Sequence, residues 1–316
     1  MHNLRRFYYQ NKNKIWKVML IIALTLGIIY FLDNTALKRG IDKDFNIDEE
    51  MYKNDQTQIY ISNQSAISGS TVTEKEVNKI NKTISKFLEY CKNGKKEEAY
   101  NMLSKDCKSK EFNTIEQFQN KYIKDRFSKD DIFEIQLWMG DTYKVSISKD
   151  ALATGEINSN KKIDYITIIE ENEEQKLNIK GYINTYQINK EAIQNEIQVT
   201  VIDKEIYMDY EIYNFKIKNL SDNIVKMDSL KEIGTMYLQD MNQLKYNAYT
   251  HEIFEMDMEL KPQREVNISI KYAKQYSEKV HINKIVFNNV ILDYIKYSKQ
   301  EDVEDFKEKC EIAIDL

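Results

Sequence analysis

Residues Ser85–Leu103 read SKFLEYCKNGKKEEAYNML. Two short amphipathic runs meet at Asn93-Gly94, a break suited to a left-handed helix terminus, because glycine lacks the Cβ that makes positive φ costly. Upstream, Thr73-Glu-Lys-Glu76 is a capping box, and Val77, Ile80, Ile84, Phe87, Leu88 and Cys91 fall on one face of a 3.6-residue period. Downstream, the second run offers Ala99, Met102 and Leu103. A third begins at another capping box, Thr114-Ile-Glu-Gln117, and carries Ile115, Phe118, Tyr122 and Ile123 on its apolar side. Three helices with one apolar face each need a second layer to cover them.

That layer follows directly. The period drops to two, and Ile132–Trp138, Asp141–Ser148, Ile163–Ile169 and Lys176–Ile183 read as strands. Tyr143, Val145 and Ile147 alternate with polar residues, and the acidic run Glu170–Glu174 reads as a solvated hairpin turn. Helices followed by a meander give an α+β order. From Glu196 onward the signal is almost all β. Val266, Ile268, Ile270 and Tyr272 alternate with polar partners, and Cys310, Ile312, Ile314 and Leu316 repeat the pattern. In IYMDYEIYNFKIK the apolar phase slips by one residue between Ile212 and Tyr213, which suggests a β-bulge within one long strand. Seven or eight strands over about 120 residues suggest a sandwich.

The N-terminus has a different character. Residues 1–17 hold Arg5, Arg6, Lys12, Lys14 and Lys17 and no acid, so the rest of the chain carries a net charge of −10 against −5 overall. An acidic body excludes a phosphate-backbone binder, which needs clustered cations, so no nucleic-acid partner is expected. Val18–Leu32, VMLIIALTLGIIYFL, has no charge. Its helical rise of about 22 Å suits a short span or a secretory h-region. The following DNTALKRG offers no small-x-small cleavage site, so an uncleaved signal anchor is expected. More cations before the segment than after it place the N-terminus in the cytoplasm and the rest outside, in a single-pass cell-membrane arrangement.

The helix, the Asn-Gly turn and EEAYNML together resemble the opening of NTF2-like domains in bacterial envelope proteins. That resemblance implies helices packed into the concave side of a curved antiparallel sheet, a cone. ELKPQREVNISIKY and KIVFNNVILDY resemble bacterial immunoglobulin-like domains of cell-surface proteins. No Cys…Trp…Cys core is present, so an antibody-type domain is not implied. The ground plan of basic tail, single span and external NTF2-like domain resembles assembly subunits of conjugative type IV secretion, a family in which the cone is a protein–protein module. Known subunits of that family in Gram-positive bacteria tend to carry a second NTF2-like domain where this chain turns to β.

The expected organisation is therefore α+β with an N-terminal transmembrane helix. It runs as a basic cytoplasmic tail (1–17), a transmembrane signal anchor (18–32), a flexible stalk (33–72), an NTF2-like cone (73–190) and an all-β immunoglobulin-like sandwich (191–316). Its expected role is a membrane-anchored extracytoplasmic scaffold or binding protein, contacting other envelope proteins or itself. The alternative is a small apolar ligand held in the cone.

Enzymatic chemistry finds few candidates. The only histidines are His2, His251 and His281, which rules out a histidine mechanism inside the cone. Tyr122, Tyr143, Tyr165 and Asp164 are the residues that face a cone interior if any do. Asp130-Asp131 reads as a turn entering a strand, and His251-Glu252 lacks the second histidine of a zinc helix. Trp138 and the many tyrosines read as core or sheet surface. Cys91, Cys107 and Cys310 show no metal spacing. A Cys91–Cys107 bridge and a buried Cys91 both remain open. No catalytic, cofactor-binding or metal residue is assigned, and no cofactor or enzyme activity is expected.

Overall fold

The computed structural model describes residues 59–62, 74–149, 161–299 and 309–316. They belong to one compact unit, Thr57–Leu316. The basic tail, the proposed span, Thr73 of the first capping box and most of the stalk lie outside the described residues.

The helical hairpin forms as α1 (Glu74–Lys92), α2 (Lys96–Asn101), α3 (Lys105–Glu111) and α4 (Ile115–Phe118), which runs into a π-turn at Gln119–Ile123. Gly94 closes α1 with φ +71, and Lys95 N donates to Tyr90 O at 2.9 Å across it. At α4, Thr114 Oγ1 accepts from Gln117 N at 3.2 Å. Ser104, which the sequence reading passed over, caps α3 by accepting from Cys107 N at 2.9 Å.

The helices lie on a sheet of β1 (Ile59–Ser62), β2 (Asp131–Met139), β3 (Thr142–Lys149), β4 (Lys162–Glu171) and β5 (Glu174–Asn178), ordered β1-β2-β3-β4-β5. β1 runs parallel to β2 and the other pairs are antiparallel. Asn172 and Glu173 both take positive φ in the β4–β5 turn, +52 and +65, where the acidic run foretold a hairpin. Ile84, Phe87, Leu88, Phe118 and Tyr122 from the helices meet Phe133, Val145, Ile166 and Leu177 from the sheet in one buried core.

The expected strand Lys176–Ile183 is in fact two elements. The chain leaves the first sheet at Asn178, turns through Lys180 (φ +60) and Gly181 (φ +73), and re-enters as β6 (Tyr182–Gln194) in a different sheet. Buried Asn178 holds this corner. Its Nδ2 donates to Ile183 O at 2.7 Å, and its Oδ1 accepts from Ser104 Oγ at 2.5 Å.

Next come β7 (Ile197–Tyr207), β8 (Glu211–Asn219), β9 (Val225–Lys226), β10 (Met236–Asp240), β11 (Lys245–Asn247), β12 (Glu259–Leu260), β13 (Glu265–Tyr272), β14 (Ile282–Ile291), the short helix α5 (Tyr294–Ser298) and β15 (Lys309–Asp315). One sheet is ordered β13-β8-β7-β6, the other β11-β10-β14-β9-β12 with β15 on β14. Their facing sides share a second core, in which Phe215 meets Phe287 edge-on at 5.5 Å. The phase slip in IYMDYEIYNFKIK is not a bulge. Met208-Asp209-Tyr210 is the turn between β7 and β8, closed by Tyr207 N donating to Tyr210 O at 2.9 Å. β6 serves both cores: Tyr182 packs in the first and Ala192 against the second, with a register shift between Gln187 and Lys190 in between.

The expected α+β class with a transmembrane helix is corrected by this architecture. The described residues are mostly β, 48% strand against 22% helix, in several antiparallel sheets with few and short helices. Helix-forming patterns are concentrated in one early stretch, whereas two-residue strands such as β9 and β12 leave no periodicity to read. Among the described residues no helix is long and apolar enough to cross a membrane. The longest, α1, is amphipathic and carries several lysines. The expected span at 18–32 lies outside the described residues. The membrane-anchored assignment, with its signal anchor and extracytoplasmic placement, therefore has nothing in the structure behind it and is withdrawn.

Candidate functional site

The first core brings together two of the four cone residues. Asp164 shares the inner face of β4 with Ile166 and Ile168, and the π-turn carries Tyr122 over it. Tyr122 Oη donates to Asp164 Oδ2 at 2.6 Å, Tyr165 N donates to Oδ1 at 2.8 Å, and Arg126 Nη1 stands 3.2 Å from Oδ2. The Arg126 guanidinium also lies over the Tyr122 ring, 4.8 Å from its centroid. Burial pushes the Asp164 carboxyl up, opposed by Arg126 and the Tyr122 hydroxyl. The Tyr122 phenol is raised by burial and by Asp164.

A perturbed carboxyl beside a phenol has the makings of acid–base chemistry. Here, however, every oxygen of Asp164 is engaged. Phe87, Phe112, Phe118 and Phe127 pack their rings within 6.2 Å of Tyr122, filling the space between the helices and the sheet with buried side chains. Tyr143 is buried in the same core. Tyr165 belongs instead to a cluster with Trp138 and Tyr276 around Ile183, Ile206 and Met208.

The remaining sequence candidates lie elsewhere in the fold. Asp131 closes its own turn, accepting from Ser128 N at 2.7 Å and Ser128 Oγ at 2.8 Å. His251 is exposed beside Glu252. No group of three or more metal-binding side chains is found among the described residues. All three cysteines are free, Cys91 and Cys107 buried.

Sequence reading missed a second polar core. Lys274 Nζ pairs with Glu211 Oε1 at 2.6 Å, and Tyr213 Oη donates to Glu211 Oε2 at 3.0 Å. Tyr272, packed edge-on against Tyr213 at 5.7 Å, keeps a buried hydroxyl without a hydrogen-bond partner among the described residues. The partners lie on β8 and just beyond β13, and no local pattern links them.

Two surface features stand out. A cleft of about 450 Å³ opens at the β7–β8 turn, walled by Asp209, Tyr246, Tyr249, Gln275 and Tyr276. Elsewhere, the turn Glu255–Met258 presents Phe254, 76% exposed, and Met256, 83% exposed. Glu255 between them reaches back to buried Lys226, whose ammonium lies over the Tyr294 ring. The Glu255 carboxyl is held below its usual range by its hydrogen bond to Lys226, and also feels Lys231. Ile233 and Ile295 are also exposed.

No family model and no curated protein matches the chain. Among solved structures, the yjhA protein from Bacillus subtilis is 12% identical, with a TM-score of 0.29, covering 42% of this chain and 99% of its own. A conserved hypothetical protein from Bacillus anthracis is 15% identical, with a TM-score of 0.24, covering 40% of this chain and 96% of its own. Both scores fall below the level at which a shared fold is argued.

Proposed function

We propose that the protein is a non-enzymatic contact protein, whose apolar turn around Phe254 and Met256 docks into an apolar groove on another protein. The observation that supports this reading is the pinned turn. Two large apolar side chains project into solvent on either side of a carboxylate tied to a buried lysine. A turn held in this way loses little conformational entropy on binding, which favours a docking anchor. Lys231, which the Glu255 carboxylate feels, and Asp257 within the turn supply charges of both signs nearby, in keeping with a polar rim. The packed aromatic interior of the first core favours this contact role over a ligand held there.

Site-specific photo-cross-linking tests the reading. A benzophenone side chain at position 254 is expected to yield discrete adducts with a second polypeptide, and one at Asn267 on β13 none. Equal yields at both positions, or none at 254, would overturn it.

A further inference from the structure

We propose that the cleft at the β7–β8 turn is a binding site for an organic ammonium group, walled by Tyr246, Tyr249 and Tyr276 with Asp209 as counter-charge. This site is distinct from the Phe254 turn and goes beyond the contact role.

Three observations lead to it. The walls are aromatic, and aromatic faces attract cations through their quadrupoles. Asp209 is exposed at the tip of the turn and has no ion-pair partner among the described residues. The two nearby lysines are already satisfied, Lys274 by Glu211 and Lys271 by Glu252 at 3.0 Å.

The molecule also uses this chemistry beside the cleft. Lys271 Nζ lies 4.2 Å from the Tyr210 ring centroid and 5.1 Å from that of Tyr249, one of the cleft walls. Burial chiefly raises the phenols here, with nearby acidic groups adding to it. Tyr276 is pushed up to about 12 by burial and then by Glu278, and Tyr210 to about 12 by burial and then by Glu111 and Glu252.

The test is a titration of the full chain with choline, with Nα-acetyl-lysine methylamide, and with 3,3-dimethylbutan-1-ol, the uncharged isostere of choline. Amide NMR signals of Ala273 and Gln275 serve as the readout. At least one cation is expected to saturate with a Kd on the order of millimolar. The isostere is expected to bind far more weakly, and Asp209→Asn to weaken the cation about three-fold or more. Binding of both cations would point to a small-molecule source. Binding of the lysine derivative alone would point to a side chain on a partner. Absence of saturable shifts, equal binding of the isostere, or an unchanged affinity in Asp209→Asn would overturn the proposal.

Discussion

Lys274 Nζ stands 2.6 Å from Glu211 Oε1, with the two side chains only 3% and 2% exposed. A buried pair of this kind contributes little net stability over an apolar replacement, because desolvation offsets the attraction. Breaking it is another matter. Lys274→Ala leaves a buried carboxylate and is expected to cost about 3–5 kcal/mol in urea unfolding. Lys274→Met combined with Glu211→Leu and Tyr213→Phe is expected to recover most of that loss. A single variant as stable as the wild type would show that the pair is not closed to water.

Tyr272 gives the complementary case. Its hydroxyl is buried without a partner among the described residues, so removing it abolishes none of their hydrogen bonds and relieves a desolvation cost. Tyr272→Phe is expected to leave stability unchanged or raise it by up to about 1 kcal/mol. A loss of more than about 1 kcal/mol on thermal unfolding would show that the hydroxyl is satisfied.

Asp164 sets a pH dependence with a definite sign. Its carboxyl is raised above the ordinary value of 3.8 in the folded state, so its contribution is fully present below that value and is lost as pH rises through the folded pKa. Asp164→Asn cannot ionise. The stability of the wild type relative to Asp164→Asn is therefore expected to fall as pH rises from the strongly acid range toward neutrality. A difference that stays flat, or rises, would contradict the burial argument.

The thiols are expected to separate by exposure. Burial raises Cys91 well above its usual value and Cys107 to about 12, which removes thiolate and access together. Cys310 is only partly buried. A disulfide-exchange reagent is expected to modify Cys310 first in native protein, and Cys91 and Cys107 only as the core opens. Rapid labelling of all three would show a loose first core.

Several local elements could be read in the sequence, the fold class could not, and the failures have physical causes. Gly94, the Thr114 cap, the Asn172-Glu173 turn and the alternation of β13 and β15 each express a local rule, and a local rule is legible in one chain. The β7–β8 turn was read through as part of one long strand because Met208-Asp209-Tyr210 has no glycine or proline and keeps an apolar rhythm. The corner at Lys180 was missed because lysine rarely takes positive φ. Buried Asn178 and Gly181 hold it there: Gly181 N donates to Tyr165 O at 3.1 Å and Gly181 O accepts from Met208 N at 2.8 Å. Tyr122 and Asp164 were singled out from a fold resemblance. Glu211 and Lys274, 63 positions apart, carry no signal that one sequence can show.

The contact role rests on Phe254 and Met256, and the size of the native complex tests it most directly. Phe254→Ser with Met256→Ser alters only exposed side chains, so its melting temperature should match the wild type, with stability within about 0.5 kcal/mol. In native extracts the wild type is expected to migrate above the 37.6 kDa of a single chain, and the double variant to fall to that mass. A wild type already at single-chain mass, or a double variant that keeps the larger size, would contradict the account.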